Sequence, residues 1–135
     1  MKKIIAGLLV ASALFTFGCG GRNAEFGVVD LQKVQTEATF FKTTVENANQ
    51  QLVDLNKEAM EAMEGKSQEE AKQILSEYQA KAQLVQSEAD NKLKASLDAA
   101  LNQVAKEKEL GAILIKDAVP QGGTDVTADV IAKIQ

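Results

Sequence analysis

The chain has 135 residues, of which 45% are apolar and 25% charged, with Lys+Arg 15 against Asp+Glu 19. That is one modest domain at most, with enough apolar content to fold. It has no His, no Trp and a single Cys, which excludes a His-based catalytic centre, a His-containing zinc site and an intrachain disulfide. Its net charge of −4 lacks the basic field that nucleic-acid binding needs, and nothing in it points to an enzyme or to a cofactor.

Residues 1–18 have the layout of a secretory signal. Lys2 and Lys3 precede an apolar run from Ile4 to Phe17, and the run ends in small residues at Gly18, Gly20 and Gly21. The run is short for a transmembrane helix. The only cysteine, Cys19, sits where this run ends. The position resembles a bacterial lipoprotein signal, in which the cysteine is acylated and becomes the mature N-terminus. Gly18 fits the small residue required before it, whereas Thr16 stands where Leu is usual. Ordinary cleavage near this point is the alternative. Either way the expected location is the periplasm, with membrane attachment if Cys19 is lipidated. Losing Lys2 and Lys3 leaves the exported chain more acidic than the full sequence.

A short linker occupies residues 19–24. Residues 25–39 and 111–135 form two parts of a body, and residues 40–110 form a helical hairpin between them. Glu25-Phe26-Gly27-Val28-Val29-Asp30 reads as a short strand, apolar on both faces and ended by Asp30, which can cap helical turns starting at Leu31. From about Phe40 to Glu64 there is no Gly or Pro, and helix formers abound. The apolar positions Phe41, Val45, Ala48, Leu52, Leu55, Ala59 and Ala62 fall on a heptad seam. Gly65-Lys66-Ser67 breaks the run, and Ser67 with Glu70 makes a capping box. The second helix runs to about Leu110, with Gly111 as its stop. Its apolar line is Ile74, Tyr78, Ala82, Val85, Ala89, Leu93, Leu97, Ala100 and Val104. Two long helices with so short a break lie antiparallel, spanning roughly 37 and roughly 64 Å. The lengths match better if the turns from Leu31 extend the first arm.

Ala112-Ile113-Leu114-Ile115 is a second strand, expected to be buried on both faces. Pro120 to Gly123 is a turn, and without a following Lys-Ser/Thr it is not a phosphate loop. Thr127 is expected to cap a last helix carrying Val130, Ile131 and Ile134. The fold class is therefore mainly α, with a long antiparallel hairpin projecting from a small β body. Two short strands and one helix enclose little core by themselves. Phe26, Val28, Val29, Ile113, Leu114 and Ile115 are thus expected to form a β core shared between several copies.

The order of strand, long hairpin, strand and short helix behind a signal resembles the Skp/OmpH family of periplasmic chaperones. Asp125-Val126-Thr127-Ala128-Asp129-Val130-Ile131 resembles that family's terminal Asp-Ile-Thr-Ala-Asp-Val-Leu segment. Gly27-Val28-Val29-Asp30 and Ala112 to Asp117 resemble its two strands. The resemblance implies a homotrimer in which three helical tentacles surround a cavity. There, unfolded outer-membrane proteins would be held without ATP and kept from aggregating. This chain departs from the family's basic tips. Its own tip carries Glu58, Glu61, Glu64, Glu69 and Glu70 against Lys66 and Lys72, so lipopolysaccharide binding is not carried over.

Four side chains are candidates for client contact. Met60 and Met63 lie near the tip, where flexible thioethers either fill gaps in the hairpin or serve promiscuous contact. Phe40 cannot share a face with Phe41, so it packs on the body or faces the cavity. Tyr78 belongs to the seam or touches client. The abundant carboxylates read as solvated helix faces, with Glu77 and Lys81 spaced for an ion pair. The alternative function is a structural coiled-coil lipoprotein that spaces or tethers envelope layers. Its two long helices would be the same, but it has no use for the apolar strand pair.

Overall fold

The computed structural model describes residues 25–135; residues 1–24, and with them the signal segment, the linker and Cys19, lie outside it. The described chain is mainly helical, with a small parallel sheet. In order it has β1 (Phe26–Val29), α1 (Leu31–Glu37), α2 (Thr39–Met63), α3 (Gln68–Glu107), β2 (Ala112–Ile115), a 3-10 turn (Lys116–Ala118), β3 (Thr124–Asp125) and α4 (Thr127–Lys133).

β1 ends where Asp30 turns the chain into α1, and its carboxylate accepts from the Lys33 N–H at 3.1 Å. The turns from Leu31 do not simply extend the first arm. They form a separate seven-residue helix, broken from α2 at Ala38, where ψ opens to 117°. No Gly or Pro marks this break. Ala38 is small enough to be buried there, and the bend brings Val34 and Phe41 onto one core. α2 has 25 residues and α3 has 40, roughly 37 and roughly 60 Å of helix. The connection uses Gly65 at φ 69°, in open space where a side chain would meet no contact. Ser67 and Glu70 then close the expected capping box on α3.

α3 stops at Glu107, short of the expected Leu110, and Gly111 is not its terminator. Glu109 takes the left-handed position at φ 54°. The Leu110 N–H reaches the Ala105 carbonyl at 2.9 Å, and the Glu109 N–H reaches that of Lys106 at 3.3 Å. This is a Schellman motif with a non-glycine residue in the αL seat. Gly111 instead donates to the Glu25 carbonyl at 2.9 Å, joining the amino ends of β1 and β2.

The sheet has three parallel strands in the order β2-β1-β3, one more than the two expected. Phe26 pairs with Ala112 and Val28 with Leu114 on one side, and Gly27 with Thr124 on the other. β3 is only two residues long, too short for any periodicity to reveal. It comes close because Gly122 and Gly123, at φ 91° and 85°, lay the loop on β1. A Cβ on Gly123 would stand 2.6 Å from the Phe26 ring and 2.8 Å from Val28, so only glycine fits.

Contrary to expectation, the chain has a core of its own. Val29, Val34, Phe41, Ala100, Val104, Val126 and Val130 pack as one buried cluster. Sequence reading gave the stretch from Leu93 to Val104 to the arm, whereas Leu93, Leu97 and Leu101 pack on this cluster. The extra length of α3 therefore runs through the body, alongside α4. The two helices are antiparallel, pinned by Lys108–Asp129 at 3.1 Å, Glu107–Lys133 at 2.7 Å and Ser96 Oγ to the Gln135 carbonyl at 2.8 Å.

Candidate functional site

Two surfaces stand out, the outer edge of the sheet and the flanks of the hairpin. β1 is the central strand, so β2 and β3 are its two edges. The six side chains expected to form a shared β core divide sharply here. Val28 and Val29 are buried within the single chain, and Phe26 is half-buried, its ring close to Gly122 and Gly123. Ile113 packs on the chain's own core. Leu114 and Ile115, expected to be buried on both faces, remain 44% and 48% exposed. They point to opposite faces of the sheet, so the carboxyl end of β2 leaves apolar surface on both faces as well as along its edge. The cause is topological: β2 is an outer strand with one neighbour, whereas β1 is flanked on both sides and packs on α4.

Most residues of the expected hairpin seam are half-buried or buried, from Ala48 through Ala62 on α2 and from Ile74 through Val104 on α3. Val45 is the exception. It is 45% exposed, and half-buried Thr44 occupies its place on the seam. A step of three from Phe41, not four, follows the true helical twist here. Met60 is 63% exposed, whereas Met63 is half-buried at the end of α2. Tyr78 is a half-buried seam residue, and the Lys81 ammonium lies 4.5 Å from its ring centre. Lys81 also pairs with Glu77 at 2.9 Å, as the spacing predicted, and that hydrogen bond holds its ammonium above the usual lysine range. Phe40 does two things at once: it packs on the body core and lines the opening of a groove.

The groove runs along one flank of the hairpin. Its body half, about 670 Å³, is lined by Phe40, Thr44, Asn47, Ala48, Val85 and Ala89 among others. Gln51 and Val85 continue into a second stretch of about 430 Å³, which reaches Asp54, Glu58, Lys81 and Leu84. The opposite flank has a smaller hollow of about 130 Å³ bounded by Leu52, Asn56, Ala59, Leu75 and Tyr78. Ala48 and Ala89 keep the first groove open, because alanines in the seam leave room that larger side chains would fill. Val53, Leu75 and Leu84 are 62%, 46% and 59% exposed, and sequence reading did not single them out. Their signal was available: they are large apolar residues off the seam lines.

Beyond the carboxyl ends of the strands lies a polar clamp. Lys116, just after β2, reaches Asp125 on β3 at 2.8 Å. The other Asp125 oxygen accepts from the Thr127 N–H at 3.0 Å and from its hydroxyl. The Thr127 hydroxyl accepts in turn from the Asp30 N–H at the end of β1, at 3.0 Å. Thr127 is therefore not the cap of α4. It is the first helical residue, and Asp125, two residues earlier, satisfies its N–H. The Lys116 ammonium first, then the Thr127 hydroxyl and N–H, hold the Asp125 carboxyl well below the usual carboxylate range. Lys116 is raised in return.

Among the described residues, no three His, Cys, Asp or Glu side chains gather to hold a metal ion, and no helix is long and apolar enough to cross a membrane. No protein-family model matches the chain, and no curated protein matches it significantly.

Proposed function

We propose that this protein is an ATP-independent holdase of the bacterial envelope that binds unfolded outer-membrane proteins between helical arms and keeps them from aggregating. The observation that carries this reading is the hairpin itself. It is a long arm with a thin seam, open grooves and large apolar side chains left in solvent at Val53, Met60, Leu75 and Leu84. Such shallow, distributed contacts suit clients without fixed structure, each contact being weak and replaceable. The terminal segment Asp125 to Ile131, which resembles the Skp/OmpH family, supports the same reading. So does the exposed apolar edge of β2, which copies of the chain would cover by associating, as a trimer in that family. Membrane attachment through an acylated Cys19 belongs to this proposal and rests on the signal-like sequence before it.

The test is aggregation of a urea-unfolded β-barrel protein diluted into buffer without nucleotide. The exported form of this protein, added at the stoichiometry of one trimer per client, is expected to suppress light scattering. Unchanged scattering at a several-fold excess would remove the holdase and leave the rod as an envelope spacer.

A further inference from the structure

We infer that the groove on the Asn47–Gln51 flank of the hairpin is the seat of a single extended client segment, and that the opposite flank is not. This rests on the holdase reading and adds to it a place, a length and a side.

Length is the first argument. The groove follows α2 from Phe40 to Glu58, which at 1.5 Å per residue is roughly 27 Å. A chain in β conformation covers that distance in about eight residues, close to the 9–11 residues of one transmembrane strand. The hollow on the other flank holds about 130 Å³ and follows α2 only from Leu52 to Ala59, roughly 10 Å, which is about three residues of extended chain.

Chemistry is the second. The body half is walled on α2 by Thr44, Asn47, Gln50 and Gln51, and the helix's own charges there, Lys42 and Glu46, lie off the groove. α3 contributes one charge of each sign, Glu88 and Lys92. The wall of the body half is thus close to electrically neutral yet rich in groups that donate and accept hydrogen bonds, and the tip half adds Asp54 and Glu58 against Lys81. Among the described residues, Thr44, Asn47 and Gln51 make no side-chain hydrogen bond to the protein, unlike Gln50, which donates to Asp54 at 3.0 Å. The floor is apolar and shallow, made by Ala48, Val85 and Ala89. An anionic ligand finds no net positive charge here, and an acyl chain would strand the amides without partners. An extended polypeptide answers both surfaces. Its unpaired backbone groups meet the amides, and the alternating side chains of a barrel strand put every second, apolar residue on the floor.

The experiment measures binding of a fluorescently labelled, urea-unfolded β-barrel protein to the exported form of this protein. Asn47→Glu with Gln51→Glu puts two charges into the groove, and Asn56→Glu with Gln79→Glu puts the same two on the opposite flank. The groove pair is expected to weaken binding roughly tenfold, the equivalent of about one or two lost hydrogen bonds, while the opposite pair leaves it unchanged. Helical circular dichroism checks both variants. A photo-crosslinking residue at Gln51 or at Gln79, in otherwise unaltered protein, reads the same question should the groove pair fail to fold. Client adducts are expected at Gln51 and not at Gln79. Equal loss in both pairs, no loss in the groove pair, or Gln51 adducts to a second copy of this chain would overturn the assignment while the holdase stands. Absence of any client binding by the unaltered protein would overturn both, and that result is read in the wild-type arm alone.

Discussion

Glu109 sits at φ 54° in the seat that closes α3, a conformation in which the Cβ of an L residue crowds the backbone. Nothing about its charge requires that seat, since the hydrogen bonds that end the helix come from the backbone of Glu109 and Leu110. Glycine would take the same dihedrals without the crowding, at the cost of more freedom in the unfolded chain. The two effects oppose each other and the relief of strain is the larger. Glu109→Gly is therefore expected to stabilise the fold by about 1 kcal/mol, read as a higher urea midpoint with unchanged slope. An unchanged or lowered midpoint would mean that the Glu109 side chain contributes something that its backbone geometry does not reveal. Gly123 is the converse case. There the left-handed dihedral coincides with a Phe26 ring that would stand 2.6 Å from any Cβ, and both the conformation and the space demand glycine.

At the scale of elements, the clamp of Lys116, Asp125, Thr127 and Asp30 ties the ends of all three strands to the start of α4. Asp125 is its hinge. Because its folded carboxyl titrates below the unfolded one, the charge stabilises the fold at neutral pH, and that contribution is lost as pH falls from the ordinary value near 3.8 toward the folded one. The side chains of the Lys116–Asp125 pair are about half exposed, at 47% and 49%, so solvent screens the pair and the effect is modest. Asp125→Asn is expected to reduce stability at pH 7 by under about 1 kcal/mol, read as a lower melting temperature, with the gap to wild type narrowing below about pH 4. A gap that is the same at pH 7 and pH 3 would show that the charge contributes nothing. The clamp was hidden in the sequence because it spans 97 residues between Asp30 and Thr127. Local signals were readable and accurate: β1 and β2 as apolar runs, Asp30 as a cap, and Ser67 with Glu70 as a capping box. What failed depends on tertiary placement. The break at Ala38 has no breaker residue, β3 has no period, and α3 closes on a glutamate beside an available glycine. The groove was half-legible, since the alanines of the seam were identified but not the amides beside them.

For the molecule as a whole, the decisive contrast is between a core that closes and an edge that does not. Val29, Val34, Val104, Val126 and Val130 are fully buried in the single chain, so the body folds around its own interior. β2 then presents Leu114 and Ile115 beside its unpaired edge, on opposite faces. A strand so placed is a template for pairing with another chain, and no charge lies within Ala112–Ile115 to blunt it. Leu114 and Ile115 are already about half covered, so burying what remains of each is worth half of the roughly 1.5–3 kcal/mol of a full side chain, a gain repeated in every copy that associates. Since neither residue belongs to the buried cluster, replacing them should separate assembly from folding. Leu114→Lys with Ile115→Lys is expected to sediment as a monomer at micromolar concentration, with the helical signal retained, while the unaltered protein sediments as a trimer. Loss of helix in the double variant would mean that the single chain's core is insufficient and that folding and assembly are one event. A wild-type protein that is itself monomeric would remove the shared β edge, and the arrangement of arms around a common space with it.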